Sequence, residues 1–492
     1  MILHRVLGRL ANQSAGVRAA GLYAVGLAWT KGIALLMVPI LTRSLAPAEF
    51  GRLEVLSSIA EIGGLLAGAG LVDTLYRFAS GARPAALRAA AQVSGLSLLV
   101  AMSGLLLFGL FAGQIAVLVP IPTPPTQILL LGVAVVLESA ITVPLSWMRM
   151  NSAAGAYTAV IMLRATIQSG LVAALVLGGY GVSGVLGAGA ITAFGTATLL
   201  AAWQARRSGI AVLPTAANRH AWRGMLAYGL PLVGGGLASF VLGTADRLLR
   251  AGVVPDAALG QYALAAKFAM LAALLTQPFE LWWFPRRIGL LNEPEGKAQS
   301  ARLAGVGAAL VTLSAAMAAI AGPQLIFLLT PAAYHPAALL VPFLCASLAM
   351  QSLGSLFNVG CYATRTGTTA MLVNSLAAAV AMVFYLLLIP YWGVPGAIAA
   401  TLLAQVTRLG VFTVVSQRRV KLSYPFAALL RLSGVAILAA AVPQVLQPGW
   451  TSALATLAGL GLTGAMAFAP GLLVLPATFR LAKPLRAAQV DA

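Results

Sequence analysis

About fourteen apolar stretches follow one another along this 492-residue chain. Each is long enough to cross a hydrocarbon layer of roughly 30 Å as a helix. Their approximate limits are 19–42, 53–76, 89–113, 127–148, 154–177, 182–204, 225–249, 258–284, 303–329, 337–360, 368–390, 394–416, 426–446 and 451–475. In lipid a helix satisfies its backbone hydrogen bonds internally, so runs of this length dictate helices. Only 9% of residues are charged and mean hydropathy is +0.94, against about 25% charged in soluble domains. The fold class expected is an all-α polytopic membrane protein with about fourteen transmembrane helices.

The charges test this reading independently. Lys and Arg number 31 against 11 Asp and Glu. They punctuate the apolar runs and form no separate basic domain, so loop anchoring accounts for them and nucleic acid is not expected as a partner. With the N-terminus in the cytoplasm, even-numbered connections, the C-terminal tail and Arg431 near the start of the thirteenth span hold twenty of the cations, and the N-terminal tail holds Arg5, Arg9 and Arg18. Odd-numbered connections and the span ends beside them hold four: Arg43, Arg52, Arg247 and Arg250. One misassigned span in the middle would destroy that alternation. Both termini are therefore expected in the cytoplasm. Residues 1–18 lack the apolar core of a cleavable signal peptide.

An internal repeat is also present. RSLAPAEFGRL (43–53) and RAGVVPDAALGQY (250–262) each lead from an arginine through a proline and an acid to a glycine, and Gly51 and Gly260 lie 209 residues apart. YGVSG at 180 and WGVPG at 392 repeat at 212. Each offset covers six spans, an even number, so the copies share one orientation in the membrane. The expected organisation is two six-helix lobes, 19–207 and 219–420, around a central cavity. Residues 421–492 add two helices and a tail.

No catalytic constellation, phosphate-cradling loop or metal-ligand cluster stands out, so neither an enzyme nor a resident cofactor or metal is expected. His4, His220 and His335 are far apart, and Cys345 and Cys361 are read as lying on one helix, too distant for a disulfide. The informative residues are charges inside spans, because each costs about 2.5–3.5 kcal/mol at a helix centre and must face water or a partner. Lys31, Arg164, Lys267 and Arg408 are the cations; Glu61 and Glu138 are the acids. Structural pairing of Lys31 with Glu61 and Arg164 with Glu138 is one account. A cationic lining for an anionic cargo is the other. Asp246 and Arg247, with Arg250, suit an ion pair at a gate, and Glu61, Glu138 or Asp246 could couple an ion. Glu280 reads as an interfacial acid beside Arg286 and Arg287, and Trp282-Trp283-Phe284 as an aromatic belt. Pro231, next to Gly234-Gly235-Gly236, is the hinge candidate.

The run from Met37 to Leu71, the run GLPLVGGGLASFVLGTADRLL from Gly229 to Leu249, and the Gly-Val-x-Gly turns at 181 and 393 resemble the polysaccharide biosynthesis/export family of Wzx-type flippases over residues 19–420. The resemblance implies alternating access and a polyprenyl-diphosphate-linked glycan as cargo, with its lipid tail left among membrane lipid. It implies service to lipopolysaccharide or exopolysaccharide synthesis, beside a polysaccharide polymerase or glycosyltransferases. Alternatives are a small-molecule/cation antiporter of the multidrug extrusion type, a lipid II flippase, and a non-transporting partner in an export complex. The extruders typically carry an acid in the opening helix, where this chain has Lys31. The lipid II carriers' arginine cluster near the first helix is not seen.

Overall fold

A computed structural model of the chain describes residues 15–68, 70–79, 83–208, 219–284, 287, 289–293, 295–362, 368–445 and 450–468. The described residues are mostly helical, with no strand among them. In order the helices are α1 (Ala15–Ser44), α2 (Pro47–Gly68), α3 (Leu71–Phe78), α4 (Arg83–Leu118), α5 (Pro125–Met150), α6 (Ala154–Leu177), α7 (Gly181–Trp203) and α8 (Arg219–Gly243). There follow α9 (Ala245–Arg250), α10 (Asp256–Trp283), α11 (Gly296–Leu329), α12 (Val341–Leu356), α13 (Val359–Tyr362), α14 (Thr368–Arg419), α15 (Phe426–Val445) and α16 (Trp450–Phe468). Nine helical stretches among the described residues are long and apolar enough to cross a membrane. This is a multi-pass membrane protein.

All fourteen expected spans fall on these helices; the last is described only as far as Phe468. Two spans are fused into α14, 52 residues long, which breaks at Gly393 with φ 57 and ψ −126. That conformation is open to glycine and strained for other residues. The tenth span begins as a 3-10 segment, Ala332–Leu340, and its helix α12 stops before a turn at 357–358. Cys345 and Cys361 therefore sit on separate helices, not one, and both thiols are free and buried.

The chain divides into two compact units. The first comprises Met1–Leu264, Leu329–Pro336 and Asn374–Ala404. Here α5 packs between α4 and α7 through Val136, Leu137, Ile141 and Leu145 against Ala101, Ala193 and Leu200. Helices approach closely where a side chain is missing: Gly132 receives Phe108, and Gly26 on α1 receives Ile161 and Thr158 of α6. With lipid as apolar as leucine, such small-residue contacts are what hold membrane helices together.

The second unit comprises Ala265–Leu328, Ala337–Val373 and Gln405–Ala492. Its axis is α11, rich in alanine and glycine and buried along most of its length. Gly307 lies under Phe279 and Leu356, and Gly305 under Pro425. Trp283 is 0% exposed in this core, with Ala301, Leu303 and Leu432. It is a core residue rather than part of an aromatic belt, because the small side chains of α11 leave room for its ring. Helices α15 and α16 pack on each other and on the same core through Leu429, Leu432 and Ala467.

Candidate functional site

The repeat seen in the sequence closes on itself in space. A methyl group on Gly51 would overlap the carbonyl of Asp256, and one on Gly260 would overlap the carbonyl of Pro47. Position 47 shifted by 209 is 256, so the two contacts exchange under the repeat offset. Such reciprocity is the signature of a local two-fold relation between equivalent surfaces. The N-terminal turns of α2 and α10 cross there, backbone to backbone, and glycine is required on both sides.

Around this crossing the first unit gathers the odd-numbered connections. Tyr334 Oη donates to the Leu45 carbonyl at 2.8 Å, and its ring lies edge-on to Phe50. Gln261 Nε2 donates to the Ala333 carbonyl at 3.0 Å. A methyl on Gly252 would lie 3.3 Å from the Pro120 carbonyl, one on Gly393 3.5 Å from Val254, and one on Gly181 3.6 Å from Glu49 Oε1. Connections one, three, five, seven, nine and eleven thus share one end of the unit, as the charge alternation requires.

Ion pairs lock that end. Arg52 Nε bonds Asp256 Oδ2 at 2.8 Å and Arg247 Nη1 bonds Glu54 Oε2 at 3.1 Å, each pair joining the two repeats. Thr244 Oγ1 donates to Glu61 Oε2 at 2.9 Å, deeper along α2. Thr244 sits at the break between α8 and α9, where φ is −143 and ψ −23. Beside it lies a buried cluster: Arg250 Nη2 bonds Asp246 Oδ2 at 2.7 Å, its Nε bonds the Asp246 carbonyl at 2.9 Å, and Tyr262 Oη donates to the same Oδ2 at 2.6 Å. The guanidinium is 0% exposed and stacks 3.5 Å from the Tyr262 ring centroid. A charge so buried needs its partner.

The residues singled out in the sequence separate into groups. Asp246 bonds Arg250, Arg247 bonds Glu54, and Glu61 accepts from Thr244 rather than meeting Lys31. Arg164 makes a bidentate bond to Glu138, at 3.1 and 2.7 Å, the pairing weighed against a cargo role. Lys31 is exposed midway along α1. Lys267 and Arg408 are half-buried in the second unit, where Arg408 Nη1 bonds the Gln351 carbonyl at 2.8 Å. Pro231 lies within α8. Glu280 bonds Ser352 and leaves Oε1 without a partner, whereas Arg287 bonds neutral groups; Arg286 lies outside the described residues. No group of three or more metal-ligating side chains occurs among the described residues. Glu54, Arg52, Asp256 and Tyr262 went unnoticed as a network. The signal for them was the repeat, since both inter-repeat ion pairs flank the matched glycines.

Comparison with known proteins places this geometry. No curated protein matches the sequence. Among solved structures, "Lipid II flippase MurJ, inward closed conformation" has TM-score 0.69 at 10% identity, covering 92% of this chain and 99% of that one. An inward-facing multidrug resistance MATE family transporter of the MOP superfamily has TM-score 0.59 at 15% identity, covering 82% and 96%. The MATE multidrug transporter DinF-BH has TM-score 0.58 at 13%, covering 84% and 98%. At these identities the likeness is one of fold. The family model described as "Polysaccharide biosynthesis protein" matches residues 17–286, more than half the chain. The chain belongs to the polysaccharide biosynthesis protein family.

Proposed function

We propose that this protein is a flippase, not an enzyme, that carries polyprenyl-diphosphate-linked oligosaccharide from the cytoplasmic to the outer leaflet for cell-surface polysaccharide synthesis. The observation carrying this reading is the locked end of the first unit. A crossing of two repeat-related glycines, tied by ion pairs between the repeats beside buried apolar side chains such as Phe50 and Leu259, is read as a contact that opens when those pairs separate. Family membership supports the polysaccharide, and the fold shared with a lipid II flippase supports a lipid-linked cargo. Alternating access then needs the network of Arg52, Glu54, Arg247 and Asp256 to break on the outward side as the cargo passes.

The energetics agree. A diphosphate carries roughly two negative charges, and moving each out of a negative-inside cytoplasm gains about 2.3 kcal/mol per 100 mV. The barrier is therefore loss of headgroup hydration. Lys31, Arg164, Lys267 and Arg408 are assigned to lowering it by replacing water, Pro231 to hinging α8, and the lipid tail stays in the bilayer. The protein sits in the inner membrane with both termini cytoplasmic, supplied by glycosyltransferases and feeding a polymerase. The shared MurJ fold favours one second reading, lipid II as cargo.

The test is a strain in which Lys31, Arg164, Lys267 and Arg408 are all replaced by glutamine. Lipid-linked glycan should accumulate on the inner leaflet and surface polysaccharide should vanish. Unchanged export refutes the cationic mechanism. Accumulation of lipid II alone selects the second reading, and gain of drug resistance would indicate an extruder.

A further inference from the structure

The opposite end of the first unit is closed as well, by a different device. Helix α2 stops at Gly68, and α3 starts after Gly70, whose φ of 65 and ψ of 19 lie in the left-handed region open to glycine. A methyl group on Gly70 would overlap the Gly229 carbonyl, so α3 meets α8 backbone to backbone. Thr74 Oγ1 donates to the Gly70 carbonyl at 2.8 Å and reaches the Met225 carbonyl at 3.4 Å. The Arg77 guanidinium lies 4.5 Å from the Tyr228 ring centroid, and Phe78 meets the same ring edge-on at 6.1 Å. Helix α3 ends at the second connection and α8 begins after the sixth. The contact therefore stands at the even-numbered connections, the side expected to face the cytoplasm.

This contact joins the two repeats, α3 from the first and α8 from the second. Under the 209-residue offset position 70 becomes Phe279 and position 229 becomes Ala20, so the glycine pair does not recur. Unlike the crossing of Gly51 and Gly260, it is not a by-product of the repeat. The apolar side of α3, Leu71 and Leu75, lies in a cluster with Val93 of α4 and Val143 of α5, all from the first repeat. Helix α8 enters that cluster through Met225, with Trp222 and Leu226 packed on it. An unbranched thioether adapts readily to leaving and reseating. The Trp222 Nε1 N–H is buried without an acceptor among the described residues. A stranded donor costs the closed arrangement what water returns on opening.

We propose that α3 is an inner latch: it moves with α4 and α5, turns about Gly70 and leaves α8, opening the even-numbered end to the cargo, a role that rests on the flippase reading above. The ion pairs of Arg52 with Asp256 and Arg247 with Glu54 keep the odd-numbered end shut while the latch is open.

The test is labelling of a buried reporter. Thr74, 0% exposed on the contact, is changed as Thr74→Cys in the full-length protein, and an impermeant maleimide is added to inside-out vesicles from the even-connection face. Cys345 and Cys361 are buried, and protein without the reporter gives their rate. Arg77→Gln and Tyr228→Leu should each speed labelling about two- to fivefold, the range for an exposed contact of cation and ring. Gly70→Ala, strained and pressed on Gly229, should speed it about five- to 150-fold. Trp222→Phe removes the stranded N–H and should slow it, whereas Gly224→Ala, with open space around it, should leave it unchanged. Parental rates in Arg77→Gln, Tyr228→Leu and Gly70→Ala together overturn the latch. Acceleration in every variant would show general loosening and overturn it too. Where Gly70→Ala yields no folded protein, the variants of Arg77 and Tyr228 decide alone. Phe78→Cys with Tyr228→Cys, bridged by a short bis-maleimide, should stop surface polysaccharide export in cells; export at the parental rate with bridging complete also overturns the latch. The flippase reading is tested apart, in cells lacking the protein: if no lipid-linked glycan accumulates there, that reading falls and the labelling result stands.

Discussion

Glu54→Gln removes the carboxylate that Arg247 holds at 3.1 Å, in a site where the two side chains are 8% and 20% exposed. Attraction between unit charges about 4 Å apart is roughly 4 kcal/mol at an effective dielectric of about 20. Withdrawing both groups from water offsets much of that, leaving about 1–3 kcal/mol. If the bond exists only while the odd-connection end is closed, its loss shifts the closed–open equilibrium about five- to 150-fold toward open. Ser58, 0% exposed and one turn beyond Glu54, offers a reporter. In a Ser58→Cys background an impermeant maleimide should label faster in Glu54→Gln by that factor. The reagent should act from the face of the odd connections. Cys345 and Cys361 are buried, and the parent protein supplies their background rate. Arg247→Gln should give the same acceleration, and the double variant no more than either single one. Additive effects, or labelling at the parental rate in all three, would show that the pair does not hold the end shut.

Three further outcomes follow from the same geometry. Gly51→Leu or Gly260→Leu, by driving a side chain into opposing backbone, should destabilise the closed end by about 1–3 kcal/mol and accelerate Ser58→Cys labelling. Asp246→Asn strands the buried Arg250 and should cost about 3–5 kcal/mol, read as a lower thermal midpoint in detergent; Asp246→Asn with Arg250→Met should recover most of it, and an additive loss would refute the pairing. Gly393→Ala forces a strained backbone at about 1–3 kcal/mol and should lower the midpoint, whereas Gly434→Ala, with open space around it, should leave it near the parental value.

The sequence by itself determined that the chain is helical and where its apolar runs fall, though not where helices fuse or break. Apolar run length is a one-dimensional property, and so is the placement of arginine in every second connection. It also carried the 209-residue offset, and with it the glycines that later prove to touch. Which charge meets which was decided only by tertiary structure. Glu138 lies 26 residues from Arg164, but Glu54 lies 193 from Arg247 and Arg52 lies 204 from Asp256. An acid within a span looks the same in sequence whether it meets lysine, threonine or nothing. Glu61 was weighed for Lys31 and meets Thr244, and Trp283 was read at a membrane surface and lies in a core. Those outcomes depend on how small residues on neighbouring helices let backbones approach, and packing in three dimensions alone settles that.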